Sequence, residues 1–221
     1  MTKYILIAFL LTNCATAQTL VVEERVKFLA LGDSYTIGES VFESERWPVQ
    51  LVKRIRSEKY LACDDPRIIA TTGWRTDQLK NAILSANIQP NQYNLISLLI
   101  GVNNQYQNKS VESYAPEFEE LLNMAIALAG GDKSRVFVVS IPDYGYTPFG
   151  KSNQEKISRE LDAFNAVNKA VAEKLGVRYF YITDISRRGL TDPELVAKDG
   201  LHPSGKMYAE WVDLIMKSEG V

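Results

Sequence analysis

The sequence predicts a three-layer α/β/α sandwich, a five-stranded parallel sheet covered by helices on both faces. Three observations carry that prediction. Five short runs have the length and the β-branched or aromatic content of buried strands. Each is followed by a stretch with apolar residues at helical spacing, the alternation that makes a parallel sheet. No repeat, low-complexity tract or linker interrupts residues 25–217.

In chain order, the run at 26–31 precedes a helix that opens at Pro48 and gathers Trp47, Leu51, Val52 and Ile55 on one face. The run at 67–70 precedes a face of Leu79, Ala82, Ile83 and Ala86. After the run at 95–100, Phe118, Leu121, Leu122, Ala125 and Leu128 mark a helix over 114–129 that stops at Gly130 and Gly131. The run at 136–140 leads to a helix over 154–175 that ends before Gly176, and the fifth run, 177–182, leads to a last helix over 204–217.

Composition bounds the function. The 221 residues, 46% hydrophobic and 24% charged, suffice for one domain with a sizeable core. With 25 Lys and Arg against 27 Asp and Glu there is no excess of cations to neutralise a phosphate backbone, so no nucleic-acid partner is expected. One histidine, His202, and two cysteines, Cys14 and Cys63, are too few for a structural zinc site or for most catalytic ones. No metal or cofactor is expected, and any imidazole chemistry runs through His202.

Lys3, the apolar run 4–11 and the small residues of Ala15-Thr16-Ala17 read as a signal peptide over 1–17, leaving residues 18–221 as the domain. About eight apolar residues fall short of the roughly twenty needed to cross a bilayer. The reading implies an exported, periplasmic or extracellular protein without a transmembrane span. A second reading takes Leu11-Thr12-Asn13-Cys14 as a lipoprotein signal with a lipid anchor on Cys14, although Asn13 stands where a small residue is usual. After cleavage only Cys63 remains, so no internal disulfide is expected. Asp64 and Asp65 beside it would raise a thiol pKa, which argues for an inert, partly buried cysteine.

In an open parallel sheet ligands bind beyond the carboxyl ends of the strands. Those positions hold Gly32-Asp33-Ser34-Tyr35, Thr71-Thr72-Gly73-Trp74, Gly101-Val102-Asn103-Asn104 and the segment from Pro142 to Tyr146, with Asp199-Gly200-Leu201-His202-Pro203 near the end of the chain. They supply what acyl transfer requires. Ser34, at a strand-to-turn junction, is the candidate nucleophile. His202 is the candidate base, and Asp199, three residues earlier, can accept from Nδ1 and leave Nε2 free for the serine proton. The N–H groups of Ser34 and Gly73 and the side-chain amide of Asn103 are the candidate oxyanion donors.

These blocks, GDSY, TTGW, GVNN and DGLHP, resemble those of the SGNH or GDSL hydrolases, whose name lists Ser, Gly, Asn and His. The match runs from about Val26 to the last helix. The resemblance implies a flavodoxin-like fold and cofactor-free hydrolysis of an ester or thioester through an acyl-enzyme. One position departs from the family pattern: Asn104 stands where the third block usually ends in Asp, a structural residue outside the triad.

Competing readings fit less well. Gly200 to Lys206 spells a near match to a phosphate-binding loop, but Met207 replaces the hydroxyl that would hold Mg²⁺, Pro203 removes a loop N–H, and no strand precedes it. No G-x-S-x-G elbow and no Ser-x-x-Lys pair occurs. Adjacent carboxylates at Asp64 and Asp65 do not face each other across a bond as glycosidase acids do.

Trp74, Tyr35, Tyr144, Tyr146 and Phe149 fall in loops at the active edge, an aromatic rim for a sugar ring or an acyl chain. The leading expectation is an esterase of short acyl or acetyl groups whose substrate is a small-molecule or carbohydrate ester. The alternatives are a lysophospholipase or thioesterase acting on long chains and, from a different class, a non-catalytic carbohydrate-binding domain on the same fold.

Overall fold

The computed structural model describes residues 25–59 and 61–217. The expected signal peptide and Cys14 lie outside the described residues.

Five strands form one sheet: β1 (Phe28–Gly32), β2 (Arg67–Ala70), β3 (Leu95–Leu99), β4 (Val136–Val139) and β5 (Arg178–Phe180). Their spatial order is β2-β1-β3-β4-β5, and every neighbouring pair is parallel. This is the flavodoxin-like order, and the chain reverses its direction of winding between β1 and β3. Gly32 pairs in register with Ala70 on one side and Leu99 on the other, which brings three strand ends level.

The helices are α1 (Ser34–Ile37), α2 (Trp47–Glu58), α3 (Thr76–Ser85), α4 (Val102–Tyr106), α5 (Val111–Leu128), α6 (Gln154–Leu175), α7 (Thr183–Ser186) and α8 (Gly205–Lys217). Helix α2 packs on α8, while α5 packs on α3 and α6, so the two groups cover opposite faces as right-handed crossovers require. Residues of β1, β3 and β4 are buried throughout, and Trp47 packs on Phe28 of β1 and Phe137 of β4. Among the described residues no helix is long and apolar enough to cross a membrane.

Several boundaries move from their expected places for identifiable reasons. Val26 forms only an isolated bridge with Cys63, so β1 begins at Phe28. The fifth strand ends at Phe180 because the Ile182 amide turns to the Ser140 hydroxyl at 2.8 Å and leaves the ladder. Helix α5 starts three residues early, where Ser110 accepts from the Ser113 amide, and it carries Pro116 inside its second turn. Helices α1, α4 and α7 are too short for periodicity to reveal. Cys63 is buried and free, and its thiol is pushed up chiefly by burial; Asp64 adds only a smaller rise, against the lowering influence of Arg56.

Candidate active site

The site lies where the winding reverses, beyond the carboxyl ends of β1 and β3. Gly32 ends β1 because nothing larger fits: a Cβ there would stand 2.1 Å from Thr36 Oγ1 and 2.5 Å from the Leu99 carbonyl. The chain then turns directly into α1, whose first residue is Ser34. As the first helical residue, Ser34 has an N–H with no intrahelical acceptor. Asp33 caps this turn by accepting from the Tyr35 amide at 3.1 Å. Its other oxygen, Oδ2, is buried and has no partner among the described residues. Burial pushes the Asp33 carboxyl up to about 7, against the opposing pull of the Tyr35 amide.

Gly73 follows β2 with φ +85°, a left-handed backbone that favours glycine, and a Cβ there would meet nothing within 4 Å. The Gly73 N–H donates to no backbone carbonyl among the described residues. Asn103, in the first turn of α4, donates from Nδ2 to the Trp74 carbonyl at 2.9 Å. An amide NH₂ carries two hydrogens, so one remains. That single bond fixes the Asn103 side chain and ties the loop after β2 to the loop after β3.

His202 and Asp199 come from the loop before α8. His202 Nδ1 meets Asp199 Oδ2 at 2.6 Å, while Asp199 Oδ1 accepts from the amides of Leu201 at 2.9 Å and His202 at 3.0 Å. Ser40 adds its hydroxyl to Oδ2, also at 2.6 Å. Burial acts to raise the Asp199 carboxyl, but the bonds from Ser40, His202 and the two amides outweigh it and hold the group well below the usual carboxylate range. The Tyr35 ring packs edge-on against the imidazole, with centroids 5.8 Å apart.

Ser34, Gly73, Asn103 and His202 line one cleft of about 190 Å³, together with Thr72, Val102, Tyr106, Tyr144, Phe149 and Leu201. No hydrogen bond joins the Ser34 hydroxyl to His202, whose ring contact is with Asp199 through Nδ1. Of the five aromatic residues expected at the active edge, Tyr35, Tyr144 and Phe149 line the cleft. Trp74 and Tyr146 do not: Trp74 packs half-buried against the core, and Tyr146 closes a short turn capped by Asp143.

The strand-end logic overlooked Tyr106, although the signal was present: it lies three residues after Asn103 and therefore on the same side of α4. Tyr106 and Phe149 are both more than half exposed, and their ring centroids are 6.4 Å apart. Ser40 carried no signal of its own in the sequence.

Asn104 has a clear task. It accepts from the Thr76 amide at 3.2 Å and donates to the Thr76 hydroxyl at 2.7 Å, holding the start of α3. Its Nδ2 also stands 3.4 Å from Glu117 Oε2. A carboxylate here would face Glu117, so the amide suits this chain's own surroundings.

The profile of the GDSL-like lipase/acylhydrolase family matches residues 30–210. No curated protein sequence matches the chain. Among solved structures, a member of the lipolytic protein G-D-S-L family from Veillonella parvula superposes with a TM-score of 0.68 at 15% identity, covering 88% of this chain and 98% of that one. The acetylxylan esterase Axe2 from Geobacillus stearothermophilus does so at 0.66 and 17%, covering 87% and 93%. The psychrotrophic esterase EstA from a Pseudoalteromonas species gives 0.61 and 17%, covering 87% and 95%. At these identities the likeness shows the fold.

Proposed function

We propose, for a chain that belongs to the GDSL-like lipase/acylhydrolase family, that it is an exported serine esterase acting on short acyl esters, with carbohydrate acetates as the leading substrates. The observation that carries this reading is one cleft lined by a serine hydroxyl, a carboxylate-bound imidazole, and N–H donors with no acceptor of their own.

The reaction follows from those groups. Ser34 Oγ attacks the ester carbonyl while His202 Nε2 takes its proton, and Asp199 holds the ring by Nδ1 and stabilises the imidazolium. The carbonyl π electrons move onto oxygen, and the oxyanion meets the amides of Ser34 and Gly73 and the second hydrogen of Asn103 Nδ2. The imidazolium returns the proton to the departing alcohol as the C–O bond breaks, leaving an acyl-enzyme. Water, deprotonated by His202, then attacks the acyl carbon, and Ser34 leaves with the proton.

Size and lining support the short acyl group. The space at Ser34 is about 190 Å³, below the roughly 300–1,000 Å³ of pockets that enclose drug-sized ligands, and Tyr106, Tyr144 and Phe149 line both it and a neighbouring cavity of about 500 Å³. Tyr106 and Phe149 offer exposed aromatic faces on which a sugar ring could stack. Residues 1–17 supply the export signal and 18–221 the mature domain. The test is a chain-length series of p-nitrophenyl esters from two to twelve carbons, alongside acetylated xylan and pectin. Highest kcat/KM at two to four carbons is expected; an optimum at eight or longer would replace this reading with a long-chain lysophospholipase or thioesterase.

A further inference from the structure

We propose that Ser40 is a positioning residue of the acid–base pair, its hydroxyl fixing Asp199 against His202 and setting how strongly the carboxylate holds the imidazolium. The inference rests on the reading of Ser34, His202 and Asp199 as a catalytic triad. Ser40 Oγ donates to the same oxygen, Asp199 Oδ2, that meets His202 Nδ1, and both distances are 2.6 Å. The hydroxyl therefore acts on the atom through which Asp199 acts on the base.

The backbone is shaped for this contact. Ser40 has φ +65°, a left-handed conformation costly to a residue with a side chain, and the turn begins at Gly38 with φ +73°. The amides of Gly38 and Glu39 both donate to the Ser34 carbonyl, at 3.1 and 3.0 Å. Glu39 also accepts from the Thr72 hydroxyl at 2.5 Å, beside Gly73. One turn is thus tied to Ser34, to the loop that carries Gly73, and to Asp199, 159 positions away. Strain of this kind persists where the surroundings over-determine it, and here the surroundings are the three loops of the site.

The electrostatics give the sign. Oδ2 shares its charge between two donors. With the hydroxyl gone, more of that charge faces Nδ1–H, which favours the imidazolium and moves the acid limb of the pH profile upward. The carboxylate also loses a constraint on its orientation. The other titratable and charged groups around the pair are Tyr35 and Asp33 in the nucleophile turn, Glu39 and Arg46 beside Gly38, Glu45 and Lys198 in the cavity that Ser40 lines, Tyr106 and Tyr144 in the cleft, and Tyr208 on α8. All of them are retained when Ser40 alone is changed.

The experiment is kcat/KM for p-nitrophenyl acetate against pH in wild type, Ser40→Gly and Ser40→Ala, with thermal unfolding of each. Both variants should move the acid limb upward by about half a pH unit and lower the plateau about three- to tenfold, the scale of one net hydrogen bond. Their stabilities should diverge, because glycine accepts φ +65° without strain and alanine does not. An unmoved limb in Ser40→Gly, or a limb that moves only in the destabilised Ser40→Ala, would overturn the inference while leaving the triad standing. A wild type that neither hydrolyses esters nor reacts with a fluorophosphonate would overturn the triad and Ser40's part in it together.

Discussion

Asp199 and Asp33 flank the two working groups of the cleft and are treated in opposite ways. Asp199 receives four hydrogen bonds, from the Ser40 hydroxyl, His202 Nδ1 and the amides of Leu201 and His202. Its carboxyl is held far down the scale even against partial burial. Asp33, one residue before Ser34, is fully buried, accepts from the Tyr35 amide and leaves Oδ2 unpartnered, and its carboxyl rises to about 7. The same division runs through the cleft. Under the proposed reaction, the acid–base arm uses its hydrogen bonds in the ground state, to hold an imidazole in one orientation. Under the same proposal, the nucleophile arm keeps N–H groups in reserve to meet charge that appears only during the reaction.

The comparison breaks first at His202. His202→Ala should lower kcat about 10⁴-fold or more, since no second imidazole exists to take its place, with the fold kept as judged by circular dichroism. Retained turnover would remove the acid–base arm from the account.

Asn103→Ala tests the arm held in reserve. Loss of one oxyanion donor should cost about 10²–10³ in kcat with little change in KM. A loss that appears mainly in KM would mean that Asn103 serves only its bond to the Trp74 carbonyl.

Asp33 gives the smallest effect and the clearest sign. Its folded pKa, about 7, lies above the ordinary 3.8, so between those values the folded state keeps a proton that the unfolded chain has released. Its contribution is fully present below about pH 4 and is lost as pH rises through about 7. The difference in Tm between wild type and Asp33→Asn should therefore shift against the wild type across that window, by several degrees on the scale of about 2–4 °C per kcal/mol. A difference that does not vary with pH would show that Asp33 is ionised in the folded protein.

The alternation of strand and helix made the sheet legible, and the positions after β1, β2 and β3 pointed to Ser34, Gly73 and Asn103 because a parallel sheet gathers its strand ends on one edge; His202 stood out as the single histidine of the sequence. What could not be read depended on non-local contacts. The hydroxyl of Ser140 shortens β5, the carboxylate of Glu117 gives Asn104 its setting, and the hydroxyl of Ser40 reaches Asp199 from a left-handed turn. Trp74 illustrates the opposite failure. Its place in the sequence suggested a substrate contact, whereas it lies outside the lining of the cleft, partly buried against the core, with its carbonyl accepting from Asn103.

The central claim is that Ser34 is the nucleophile, activated by the single imidazole of the chain. The most direct measurement is reaction with a fluorophosphonate followed by mass spectrometry of the modified peptide, in wild type and in Ser34→Ala. The account predicts stoichiometric modification of Ser34 in the wild type and none in the variant. Absence of reaction in the folded wild type, or equal modification of Ser34→Ala at another residue, would contradict it.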